Sequence, residues 1–144
     1  YPYIKNEKHF FFTYGDGLSD VNIFDLLSFH KKNKKKATIT GVQQPGRYGS
    51  IISKNNLVTS FVEKPLGQTG FINGGYFVLS PNVVKYIKDD DTAWENEPLE
   101  HLVMDKELVV FNHNGFWQAM DTLREKNFLE NLWLNDQAPW KVWK

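Results

Sequence analysis

The run His9-Phe10-Phe11-Phe12-Thr13-Tyr14, stopped by Gly15-Asp16-Gly17, constrains this chain more than any other segment. A short apolar and aromatic run that ends in a glycine turn reads as a buried strand, covered on both faces. The segments after it alternate in type. Asp20 is expected to cap a helix whose apolar positions Ile23, Leu26, Leu27 and His30 follow helical spacing. Lys31, Lys32, Lys34, Lys35 and Lys36 then suit the negative end of its dipole and read as a solvated helix end. Ala37 to Val42 is β-branched and reads as a second inner strand, which makes a strand–helix–strand unit of the right-handed parallel kind.

Farther along, Tyr48 to Ser53 and Leu57 to Glu63 flank Lys54-Asn55-Asn56 as the arms of a hairpin. Tyr76 to Leu79 is a strand. Ser80-Pro81 starts a helix that buries Val83, Val84 and Ile87. Thr92-Ala93-Trp94-Glu95 has capping-box spacing ahead of a helix through Pro98, Leu99, Leu102 and Val103, and Leu108 to Phe111 is a short strand. Thr122-x-x-Glu125 is a second capping box, opening a helix with apolar Phe128, Leu129, Leu132 and Trp133. The expected class is α/β: a mixed, mostly parallel sheet flanked by helices, with one β-hairpin.

Composition narrows the function. The 144 residues suit one domain or one lobe of a larger one. Seventeen basic residues balance seventeen acidic ones, which gives no electrostatic case for nucleic acid or an anionic membrane as partner. There is no cysteine, which excludes a disulfide framework, a thiolate zinc site and a cysteine nucleophile, and fits a reducing, cytoplasmic setting. No apolar run is long enough to span a bilayer. The four histidines have no metal-ligand spacing, and no Gly-x-Ser-x-Gly elbow is present. Trp133, Trp140 and Trp143 crowd the C-terminus and need a surface to pack on, in this lobe or in another subunit.

Four constellations carry possible chemistry. Asp16 ends the first strand between Gly15 and Gly17, where α/β sheets hold ligands. The alternative is a Gly-Asp-Gly turn with a solvated carboxylate. Asp121 stands just before a helix, either as a ligand or as an acid favoured by the dipole. Two such carboxylates can share one Mg²⁺, an ion usually held by one or two carboxylates and substrate phosphates. Lys64 lies between Glu63 and Pro65, which extends the backbone and makes the lysine a point charge suited to phosphate or to an edge-strand ion pair. Asn73-Gly74-Gly75 sets an amide beside two residues without Cβ, as a polyol site or as a glycine bulge in a strand. Gly46-Arg47-Tyr48-Gly49 is a weaker case of the same kind.

The order Gly15-Asp16-Gly17, Glu63-Lys64-Pro65, Asn73-Gly74-Gly75 and Met120-Asp121-Thr122, with the tail Ala138-Pro139-Trp140-Lys141, resembles the sugar nucleotidyltransferases, and within them the cytidylyltransferase branch. The resemblance implies the C-terminal part of a Rossmann-like nucleotidyltransferase fold over residues 1–144. The family's N-terminal Gly-rich nucleotide loop has no counterpart in these residues. It also implies nucleotidyl transfer from CTP to glucose 1-phosphate in a homo-oligomeric parent enzyme, with no activity expected of these residues alone. Asp16 and Asp121 would bind Mg²⁺, Lys64 the sugar phosphate and Glu63 the sugar hydroxyls. Tyr14, Gly15, Gly49, Asn73, Gly74 and Gly75 would line the substrate. Uridylyl, thymidylyl or guanylyl transfer to another sugar phosphate is the nearer rival. A non-catalytic module that binds a sugar phosphate or mediates assembly is the farther one.

Overall fold

The computed structural model describes residues 1–43, 50–54, 56–62 and 70–143. Among them the elements run β1 (Phe10–Thr13), β2 (Gly17–Ser19), α1 (Ile23–Asn33), β3 (Ala37–Val42), β4 (Ser50–Lys54), β5 (Leu57–Val62), β6 (Ile72–Leu79), α2 (Glu97–Met104), β7 (Leu108–His113), β8 (Trp117–Ala119) and α3 (Leu123–Leu134). A 3₁₀ segment, Pro81–Tyr86, follows β6.

The main sheet has the order β1-β6-β3-β7. β6 is antiparallel to both of its neighbours, while β3 and β7 are parallel, in register from Ala37↔Leu108 to Val42↔His113. The sheet is therefore mixed as expected. Three of its four strands share one direction and β6 alone opposes them. β1 and β3, the ends of the expected parallel unit, do run the same way, but β6 lies between them. The hairpin is present as β4 and β5, with Lys54 paired to Leu57.

Residues of β6 sit at the centre of the core because strands cover both edges of this element. Phe77, Val78 and Leu79 are buried, and Phe77 and Leu79 cluster with Ala37, Val83 and Leu102. Each large side chain buried this way contributes about 1.5–3 kcal/mol relative to exposure. Phe12, Tyr14 and Trp94 pack around this cluster, Trp94 edge-on to Phe77 and Phe12 and Tyr14 tilted against it, the Phe12 and Trp94 rings 6.0 Å apart.

Several expectations are corrected. β1 is not covered on both faces: it ends the sheet among the described residues, and Phe11 is 50% exposed. α1 is capped by Asn22, whose Oδ1 accepts from the Phe24 and Asp25 amides, and not by Asp20, which is held elsewhere. Pro81 does stand at the first position of its segment, but the turn is 3₁₀ and ends with Ile87 already extended, so of the three expected core residues Val83 alone is buried. The Thr92 hydroxyl closes a turn onto Asp89, so α2 starts after Asn96 with no capping box; Pro98 and Leu102 are buried and Val103 is exposed. The Thr122–Glu125 box is present in full, but Leu129 is the one buried residue of α3. The late tryptophans find partners within this chain. Trp140 packs on Phe116 with ring centres 5.5 Å apart, and Trp133 and Trp143, both half-exposed, lie 6.4 Å apart.

Candidate active site

β2 and β8 form a separate two-stranded ribbon, antiparallel, pairing Gly17 with Ala119 and Ser19 with Trp117. Each strand is three residues long, too short for hydrophobic periodicity to reveal, and neither is expected from the sequence. The pairing continues past Gly17: the Met120 amide donates to the Asp16 carbonyl at 2.8 Å. The residue before Gly17 and the residue after Met120 thus come to the same end of the ribbon, and these are Asp16 and Asp121.

Asp121 is fixed from its other side by the capping box. Glu125 Oε2 accepts from the Thr122 amide at 2.9 Å and from the Asp121 amide at 3.0 Å, while Thr122 Oγ1 accepts from the Glu125 amide. Both aspartates are exposed. Among the described residues, neither carboxylate has a hydrogen bond or ion pair to another side chain. That donor set, hard and anionic, fits a small hard dication such as Mg²⁺ and does not fit a soft metal. The described residues contain no group of three or more acids or histidines poised on one ion. Open space surrounds the position where a Cβ would stand on Gly15, next to Asp16.

The floor beneath the ribbon is built from β1 and β6. Tyr14 donates its amide to the Gly75 carbonyl at 2.9 Å. Asn73 accepts from the Gly75 amide at 2.8 Å and donates through Nδ2 to the Tyr14 hydroxyl at 3.1 Å. Burial, then a hydrogen bond to Glu95, pushes the Tyr14 phenol up to about 12, so at neutral pH it stays protonated and donates to that carboxylate. Trp117 Nε1 donates to the Gly74 carbonyl at 2.8 Å, and the Tyr76 hydroxyl donates to the Gly17 carbonyl at 2.7 Å. These two bonds fasten the ribbon to β6.

Asn73-Gly74-Gly75 is a glycine bulge. The β3–β6 register slips between Ile39 and Gly41, and Gly75 has φ +76°. A Cβ on Gly74 would lie 2.7 Å from Val42 Cγ1 and 3.1 Å from the Thr40 carbonyl. The fold therefore requires this glycine whatever binds nearby, and the Asn73 amide is engaged at both ends by its own chain.

The structure thus brings Tyr14, Gly15, Asp16, Asn73, Gly74, Gly75 and Asp121 to one region. Gly49, Glu63 and Lys64 lie outside the described residues. Sequence reasoning missed Trp117, Tyr76 and Glu95. Trp117 stood in view four residues before Asp121, and a lone tryptophan in a short polar strand was the signal available. A shallow polar depression lined by Lys88, Asp89, Asp91, Thr92, Asn96 and Glu97 contains none of the candidate residues.

Residues 2–123 match the family described as Nucleotidyl transferase, and the chain belongs to that family. It is 50% identical over 142 residues to glucose-1-phosphate cytidylyltransferase of Salmonella typhimurium, a match that covers 99% of this chain and 55% of the relative. It is 37% identical over 142 residues to mannose-1-phosphate guanyltransferase of Saccharomyces cerevisiae, covering 93% of this chain and 39% of the relative. The crystal structure of HddC from Yersinia pseudotuberculosis superposes with a TM-score of 0.58 over 85% of this chain and 54% of that one; at 20% identity the likeness is one of fold. The chain spans about half the length of the curated bacterial relative it matches. No helix among the described residues is long and apolar enough to cross a membrane.

Proposed function

We propose that this chain carries the sugar-phosphate and metal-binding part of a glucose-1-phosphate cytidylyltransferase, which joins CTP and glucose 1-phosphate into CDP-glucose and releases pyrophosphate. The observation that carries the reading is the 50% identity over 142 residues to the Salmonella enzyme, against 37% to the mannose-1-phosphate guanyltransferase. The ribbon that draws Asp16 and Asp121 to one end supports the chemistry.

The phosphate oxygen of the sugar is already an anion and attacks the α-phosphate without a base. Positioning and charge neutralisation then supply most of the rate. Asp16 and Asp121 would hold Mg²⁺, which when bound neutralises charge near the α-phosphate. Lys64 would hold the sugar phosphate in line. Glu63 would accept from sugar hydroxyls. Tyr14 and Asn73 brace the glycine bulge so that the Gly15 backbone keeps open space for substrate. CTP would be held mainly by residues beyond these 144, and the parent would be a homo-oligomer.

The test is to express the chain together with the segment that the relatives carry ahead of it. Nucleotide-sugar formation is then assayed with Mg²⁺ and either glucose 1-phosphate or mannose 1-phosphate while CTP, UTP, dTTP and GTP are offered in turn. CTP is expected to be used at least tenfold faster than the others. Equal use of GTP with mannose 1-phosphate would move the chain to the guanylyltransferases.

A further inference from the structure

We infer that Asp20 and His113, seated on Gly115, form a positioning clasp that holds the β2–β8 ribbon in register and so keeps Asp16 beside Asp121. The inference rests on the reading of those two aspartates as one site. A two-stranded ribbon of three pairs is not stable alone in water. It needs ties to the main sheet. At the end that carries Asp16, the Tyr76 hydroxyl supplies one through the Gly17 carbonyl, and Trp117, which pairs with Ser19, reaches Gly74 through its indole. At the opposite end stand Asp20, directly after β2, and Phe116, directly before β8.

That far end is bound tightly. His113 Nε2 lies 2.8 Å from Asp20 Oδ1, an ion-pair distance, while that buried oxygen has no hydrogen-bond partner among the described residues. The Phe116 carbonyl accepts from the Ser19 hydroxyl at 2.8 Å and from the Asp20 amide at 3.2 Å, with His113 Nε2 at 3.3 Å. His113 is also the last residue of β7, paired with Val42 of β3. The clasp therefore joins the ribbon to the parallel β3–β7 pair of the sheet. Gly115 makes room for it: a Cβ there would fall 2.4 Å from Asp20 Oδ1 and 2.7 Å from His113 Cε1. Asp20 does not cap α1, and its carboxylate faces His113 of β7 instead. A slip at the clasp would be passed along three residue pairs to the Met120–Asp16 bond, because a ribbon cannot shift at one end alone.

Residue-resolved amide exchange on the 144-residue chain tests this. In His113→Ala the Met120 and Asp20 amides are expected to exchange at least about tenfold faster, while Phe77 and Val78 in the core of β6 keep their rates. His113→Gln, which retains a nitrogen donor at similar reach, is expected to restore most of the protection. Gly115→Ala should reproduce the His113→Ala pattern by steric means. Unchanged Met120 exchange, or equal acceleration at Met120, Phe77 and Val78, would overturn the clasp, the latter by showing a general loss of stability. Water-proton relaxation with Mn²⁺ is a separate arm. If the unaltered chain fails to hold Mn²⁺, the metal reading of Asp16 and Asp121 fails while the exchange data still decide the clasp.

Discussion

Gly74 and His30 show how much a single residue decides here. Gly74→Ala would press a methyl into Val42 and the Thr40 carbonyl. Overpacking of this kind costs roughly 1–3 kcal/mol, so the urea midpoint should fall with little change in slope. His30 is 1% exposed, its ring nitrogens 2.8 Å from the Thr38 hydroxyl and 3.1 Å from His9 Nδ1. Burial, then the neighbouring His9, pushes its pKa down to about 4. His9 is itself lowered, by burial and by Lys31 and Lys8. A depressed histidine leaves the folded state with fewer protons than the unfolded one between the two pKa values. Stability is then whole above about pH 6.5 and falls as pH drops from there towards 4, by as much as roughly 3 kcal/mol. Denaturation midpoints measured from pH 7.5 to 4.5 should follow this slope, and His30→Gln should flatten it. A midpoint that holds steady through this window in the unaltered chain would contradict the assignment.

At the scale of elements, the capping box of α3 does two things at once, because Glu125 binds the amides of both Thr122 and Asp121. Thr122→Ala should cost about 1 kcal/mol of helix stability. In the completed enzyme it should also raise the Mg²⁺ concentration needed for half-maximal rate, whereas loss of stability with unchanged Mg²⁺ demand would confine the box to a folding role. This box was legible because Thr-x-x-Glu is a local pattern whose partners are three residues apart. The β4–β5 hairpin was legible for the same reason. The cap of α1 was misread because Asp20 and Asn22 are both able to cap and no local pattern separates them; in the fold Asn22 caps and Asp20 faces His113. The ribbon was illegible because three residues cannot display a period. So the sequence marked Asp16 and Asp121 one by one through their turns and their family resemblance, while the device that joins them, with Trp117 and Tyr76, became visible through pairing across the fold.

For the whole molecule, activity in the completed enzyme should depend on both the sheet and the ribbon. Asp16→Asn or Asp121→Asn should lower turnover about a hundredfold or more, since each removes a charged ligand from the proposed ion. Lys64→Ala should chiefly weaken use of the sugar phosphate, about ten- to a hundredfold for the loss of a charge-assisted contact of roughly 1.5–3 kcal/mol. An unaltered Michaelis constant and turnover in Lys64→Ala would reduce that lysine to a surface charge. One consequence of the ribbon concerns time and not place. Ser19 and Phe116 are 97 residues apart in the chain. At a synthesis rate of about 5–20 residues per second, β2 leaves the ribosome several seconds before β8 exists. Through that interval Asp16 has no opposite strand, and a chain broken off before Trp117 never gains one. An ion that needs both aspartates would therefore find them together only in chains grown past Asp121.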